Sequence, residues 1–357
     1  MKDASFLGKL FSSPFIRGFY NDEKPVVDIK LEGNKFEQRR MTSLINTIAR
    51  NSPTGRAILE DAAKAGYTFS FERQRGSYGF CDPSEKRICL NPMHNDAKLT
   101  GTLAHEARHA QQHTKDVPTK FCTLNVATEL KLRRATESDA QAVAAQTALE
   151  IRAATRNEKI WNAFEETDRH IALSVGKPSV FKSLDSVVAD RDKNMQNAFK
   201  GWFNDWRTID AYEQGYLYHH LRAVARCEPE EKAAYFAQKP FEGHKTSADI
   251  LKMVCTTEKG KCYFANDLDI MDRETAMCGI CQDTREAADM FFSERKKVTG
   301  KAPDTSYQNL PDRGDLFKAL KMMMMPIGEI KVTKAPLDKK ALPPSLIAGL
   351  NKIRQGR

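Results

Sequence analysis

The 357-residue chain contains no run of about twenty consecutive apolar residues, so no membrane-spanning helix is expected. No secretory leader is expected either, because Phe6-Leu7-Gly8-Lys9-Leu10-Phe11 is too short and too interrupted an apolar segment. Eight cysteines without such a leader are expected to be reduced thiols in a cytoplasmic setting. Export by a non-classical route, as an effector acting in another cell, fits the same features. Cys278 and Cys281 are the one pair at metal-ligand spacing. Cys255 and Cys262, upstream, are spaced too loosely for the two tight knuckles of a four-cysteine zinc site. No strand-helix-strand pattern surrounds Cys278 and Cys281, which argues against a redox pair and leaves unpaired thiols as the expectation. No DNA-reading motif is present. The formal charge of +9 is modest for this length. Part of it sits in Lys331, Lys334, Lys339, Lys340, Lys352, Arg354 and Arg357, read mainly as a solvated basic tail with nucleic acid a secondary partner.

What the chain does have is His105-Glu106-Ala107-Arg108-His109, a His-Glu-x-x-His motif inside a helical run. Residues four apart on a helix project from one face, so both imidazoles can reach a single metal ion. Glu106 is then placed to act as a base on a water, which is the core of a zinc peptidase site. The helix is expected to start at Asn95 or Asp96, either of which can cap it, and to run to about residue 113. Leu99, Leu103 and Ala107 form its buried stripe, with the histidines on another face beside Gly101 and Thr102. Gly101 costs helix propensity, and its missing side chain is expected to let a second element pass close.

Before the motif, Thr68-Phe69-Ser70-Phe71-Glu72 alternates as a half-buried strand. Residues 76–81 and 87–90 read as a hairpin across Asp82-Pro83-Ser84-Glu85. An exposed edge strand near the metal helix would let a substrate peptide add as a further strand, and Arg87 to Leu90 is the expected edge.

A catalytic zinc takes three side chains and leaves one position open. His113 continues the four-residue series, but a third ligand a full turn further on cannot easily converge on the same ion. The next helix, from about residue 128 to 154, offers Glu137 or Asp139, which lie about 200° apart around it, so only one can face the metal. From Glu137, helical steps meet Ala140, Ala144, Ala148 and Ile151, a narrow seam suited to close packing. From Asp139 they meet Val143, Gln146 and Glu150, a more polar row. Glu137 is therefore the expected third ligand. Asp139 is the fallback, or a partner that orients an imidazole.

A hairpin, a Leu103-Ala104-His105-Glu106-Ala107-Arg108-His109-Ala110-Gln111 helix and a Glu137-Ser138-Asp139-Ala140-Gln141-Ala142 helix resemble the compact gluzincin peptidases. More closely, the wording resembles a bacterial metallopeptidase domain of unknown function, over about residues 55–215. The resemblance implies that His105, His109 and Glu137 bind zinc and that Glu106 is the base. It departs in having no clear counterpart of the downstream Tyr or His that many gluzincins aim at the oxyanion. Tyr212, Tyr216, Tyr218, His219 and His220 form a polar-aromatic cluster from which such a donor could come.

The expected fold is α+β: a small zincin-like domain, its short antiparallel sheet packed on the metal helix and a Glu-bearing helix, with a mostly helical C-terminal extension. The division expected is residues 1–24 as an aromatic and basic lead docked on the body, 25–160 as the metallopeptidase domain, 161–300 as the helical extension and 301–357 as a Pro- and Lys-rich tail. Phe199, Trp202, Phe203 and Trp206 read as core of the extension. The tail holds an amphipathic island at 316–325, whose Met322-Met323-Met324-Met325 run suits an adaptable plug or partner surface. The expected function is zinc-dependent hydrolysis of a protein or peptide substrate. A zinc-stabilised regulatory protein with a weak or idle peptidase site is the alternative.

Overall fold

The computed structural model describes residues 20, 22–115, 117–118, 123–176, 182–257 and 259–313. Most of the aromatic lead and the tail from residue 314 on, including Met322 to Met325, lie outside the described residues, and so does the side chain of Trp206.

Four short strands, β1 (Lys30–Leu31), β2 (Thr68–Phe71), β3 (Gly79–Asp82) and β4 (Arg87–Leu90), form one sheet in the order β1-β2-β4-β3. Between β1 and β2 come α1 (Lys35–Asn51) and α2 (Pro53–Lys64). Asn34 closes a capping box with Glu37 at the start of α1. Ser52 caps α2 with Pro53 in its first turn, which explains why two helices stand where one could have run. The β3–β4 hairpin forms in the expected place. Asp82 Oδ1 accepts from the Ser84 N–H (2.9 Å), the Ser84 hydroxyl (2.6 Å) and the Glu85 N–H (3.2 Å), and Lys86 takes a positive φ to complete the turn.

Two expectations fail here. The sheet is mixed rather than antiparallel: β1 and β2, and β2 and β4, pair in parallel, and only β3 and β4 run antiparallel. Side-chain alternation records which face a residue takes and carries no trace of strand direction. As a result Arg87 to Leu90 is a central strand, flanked by β2 and β3, and the edge beside the metal-helix candidate is β3.

That helix is α3 (Asp96–Thr114), capped by Asn95, whose side chain accepts from the Lys98 N–H. It packs on β3 and β4 with one side and on α4 (Val126–Thr155) with another. Leu99, Leu103 and Ala107 are fully buried, as the stripe required. The close approach falls at Gly79 rather than Gly101. A Cβ on Gly79 would lie 2.8 Å from the Cys89 carbonyl oxygen and 2.9 Å from Thr102 Cγ2, so the glycine lets the edge strand press onto α3. A Cβ on Gly101 would meet Phe164 Cδ2 at 3.9 Å, an ordinary contact.

α4 is the central helix. Its alanine seam is buried, and so is the row through Asp139, Gln146 and Glu150. Glu150, for example, accepts from the Ser52 hydroxyl (2.6 Å) and from the Thr54 N–H (3.0 Å) and hydroxyl (2.7 Å) at the start of α2. Around α4 lie α5 (Lys159–Thr167), α6 (Arg169–Val175), α7 (Leu184–Ala189), α8 (Arg191–Trp202) and α9 (Trp206–Arg226). Then follow α10 (Pro229–Ala237), α11 (Ser247–Val254), α12 (Ile270–Arg273), α13 (Thr275–Cys278) and α14 (Gln282–Thr299). One apolar cluster draws on residues from Val27 to Met277 and includes Phe199, Trp202 and Phe203. A smaller one gathers Val126, Leu130, Tyr216, Phe291 and Tyr307. Among the described residues no helix is long and apolar enough to cross a membrane.

Candidate metal centre

α3 turns His105 and His109 toward the facing side of α4, where Glu137 stands. His105 Nε2 lies 3.0 Å from His109 Nε2, and the Glu137 carboxylate lies 3.6 Å from each ring nitrogen, Oε2 toward His105 and Oε1 toward His109. A tetrahedral zinc with nitrogen and oxygen donors at about 2.0–2.1 Å would hold its ligand atoms roughly 3.3 Å apart. The three measured spacings bracket that value, so the donor set fits the ion. His105 is buried, and Glu137 and His109 are partly so. Burial alone would draw the His109 pKa down. Glu137 beside it outweighs that and, with Glu106 and a hydrogen bond to Gln112, raises it to about 9. A pocket that holds a proton this firmly is one that favours positive charge. His113 does not belong to the donor group. Burial, with His109 adding to it, lowers its pKa to about 4.

Behind His109 a chain of hydrogen bonds fixes the ring. The Gln112 Nε2 amide donates to the Thr136 carbonyl (3.0 Å) and to Asp139 Oδ2 (2.7 Å), leaving its carbonyl oxygen 2.8 Å from His109 Nδ1. Nδ1 must then donate, and Nε2, which faces Glu137 and His105, is the nitrogen that gains a lone pair when the ring gives up its proton. Asp139, fully buried, is bridged by Arg108 (Nε to Oδ2 2.7 Å, Nη2 to Oδ1 3.0 Å) and accepts from the Tyr263 hydroxyl at 2.8 Å. Arg108 also donates to the carbonyls of Val254 and Thr256. Asp139 therefore stands away from the donor group and reaches His109 through the Gln112 amide.

Glu106 is 2% exposed. Burial first, and then the charge of Glu106, push the thiol pKa of Cys81 on β3 well up, which places the carboxylate near the edge strand. From the cluster on α9, Tyr212 reaches the site, its hydroxyl donating to Glu137 Oε2 at 3.1 Å. Tyr216 and His220 are buried elsewhere, His220 Nδ1 lying 2.6 Å from the Tyr235 hydroxyl. A cleft of about 230 Å³ runs up to His105 and Tyr212 between the segment before β3, one face of α3, and helices α5, α6 and α8.

Tyr212 is held by a second buried network. Arg134 Nε (2.7 Å) and Arg313 Nη1 (2.7 Å) both donate to Glu213 Oε1, and Arg313 Nη2 donates to Asp210 at 2.5 Å. Asp210 and Glu213 flank Tyr212 on α9, while Arg134 stands one turn before Glu137 on α4. Cys281 lies within ligand reach of Asp210 and Glu213, but the two arginines already occupy those carboxylates. Among the described residues Cys255, Cys262, Cys278 and Cys281 form no common donor group, and none of the seven described cysteines is in a disulfide.

Sequence reasoning missed Arg108, Gln112 and Tyr263. Gln112, three residues past His109, carried a usable signal in its spacing; Tyr263, 124 residues from Asp139, carried none. Residues 23–264 match the model of a family described as "Putative metallopeptidase family (DUF6782)", a span that begins before β1 and ends just past Tyr263. No curated protein and no solved structure matches the chain.

Proposed function

The chain belongs to that metallopeptidase family, whose model covers about two thirds of it, and on that premise we propose that it is a zinc-dependent peptidase acting on a protein substrate. The supporting observation is the convergence of His105, His109 and Glu137 at spacings that suit one tetrahedral ion. His105 and His109 would bind through Nε2 and Glu137 through its carboxylate. Bound zinc would supply a Lewis acid for the scissile carbonyl and lower the pKa of a water to about 7.

Glu106 would take the proton of the attacking water and deliver it to the leaving amine. Its position near the edge strand suits this role, because a substrate added along β3 would bring its peptide group past that carboxylate. Tyr212 supplies the donor absent from the motif itself. With its phenol 3.1 Å from Glu137 and at the cleft wall, it would hydrogen-bond the oxygen on which negative charge develops. The Gln112 amide keeps the His109 tautomer correct for binding the ion.

Metal analysis with two variants tests this reading. Glu106→Gln should retain one zinc per chain and abolish cleavage, read by comparing the protein fragments in cells carrying the native and variant forms. His109→Ala should lose the zinc. Unchanged metal content in the His109 variant would overturn the site assignment.

A further inference from the structure

Resting on the peptidase reading above, we infer that the cleft beside His105 is a subsite for a bulky apolar side chain next to the scissile bond, with Gln141 gripping the substrate's own peptide group. Gln141 lies one turn beyond Glu137 on α4, so it faces the same way, and it lines the cleft together with His105 and Tyr212. It is only 8% exposed, and its side chain stands in the cleft wall. An amide offers both a donor and an acceptor, which is what a peptide group needs on its two edges.

The rest of the wall says what accompanies that peptide group. Phe164, Ile171 and Trp202, each at most 5% exposed, present apolar surface from α5, α6 and α8. The cleft's charges are of both signs, Lys98 and Arg169 against Asp168 and Asp205, so no single charge is selected. Gly101 stands on the α3 face of the cleft. Packing does not require it, since an added Cβ would meet only Phe164 at 3.9 Å. A glycine kept inside a helix, where alanine would fit and favour the helix, keeps the cleft open.

The test uses the zinc-loaded full chain and three probes, the hydroxamates of N-acetylglycine, N-acetylleucine and N-acetylphenylalanine, with binding measured by calorimetry. The leucine and phenylalanine probes should bind at least about tenfold tighter than the glycine probe, the discrimination an apolar pocket gives for added methylenes. Gly101→Val should keep the zinc and erase that advantage; Gly101→Ala, should the valine variant fail to fold, should reduce it. Gln141→Leu should weaken all three probes about tenfold whatever their side chain. Replacing the probe's acetamide by an ester should cost the native protein a similar factor and the Gln141 variant almost nothing, because the two changes remove one hydrogen-bonded contact. Equal binding of the three probes, no binding by a zinc-loaded protein, or full affinity in Gln141→Leu would overturn the subsite. A chain that takes up no zinc would instead overturn the peptidase reading on which it rests.

Discussion

Two buried ion-pair networks flank Glu137, and they serve different halves of the same site. On one side Arg108, Asp139 and Tyr263 lock the Gln112 amide that orients His109. On the other, Arg134, Glu213 and Arg313 pin the helix that carries Tyr212. The first contains one full anion facing one arginine, so losing either charge strands its partner. The second sets two arginines against Glu213 and Asp210, so Glu213 keeps one guanidinium if the outer arginine goes. The first lies wholly inside the family span, whereas the second extends to Arg313, beyond its end at residue 264. The proposed metal ligand His109 and the proposed oxyanion donor Tyr212 thus have separate supports.

The largest effect should come from Asp139→Ala. It leaves the Arg108 guanidinium buried without a carboxylate, at a cost of about 3–5 kcal/mol, and frees the Gln112 amide. Zinc affinity should fall about 10- to 100-fold with it, read by denaturant titration beside metal competition. Glu213→Ala should cost a comparable ~3–5 kcal/mol in denaturant titration. Its zinc affinity should stay near that of the native protein while turnover drops, because Tyr212 loses its seat. An equal loss of zinc affinity in both variants would erase the distinction between the networks. Arg313→Ala is milder, about 1–3 kcal/mol, since Arg134 still pairs with Glu213.

The smallest effect is one of pH. His220, on the same helix as Glu213, has its pKa pulled down to about 3 by burial, with Lys239, His219 and Arg133 adding to it. The unfolded chain binds that proton near pH 6.5, so the stability tied to the neutral ring is complete above 6.5 and is lost as pH falls toward 3. Hydrogen exchange at pH 5 against pH 7 should show α9 opening more in acid, and His220→Gln should flatten that difference.

What could be read from the residues was what is local. The capped helix at Asn95, the hairpin around Asp82 and the placing of Glu137, rather than Asp139, beside His105 and His109 each follow from short stretches of sequence, where periodicity and side-chain size carry the information. The sheet's direction and edge were not readable, because pairing β2 with β4 is a choice among distant partners. The row from Asp139 to Glu150 reads as the more polar face of its helix, yet it is buried, each carboxylate answered by groups from α2, α3 or the segment at Tyr263. Polarity along a helix indicates where solvent lies only when the helix is at the surface. Tyr212 was one of five candidates in the cluster, and only the docking of α9 against α4 selects it.

The Tyr263 hydroxyl on Asp139 bears on how far the protein can be cut down. A fragment drawn around the motif and the second helix would carry all three proposed ligands and still miss the donor that completes their support. The smallest piece that holds the three proposed ligands with their own support is therefore not the two helices but the whole stretch through Tyr263, just before the point where the family span also stops.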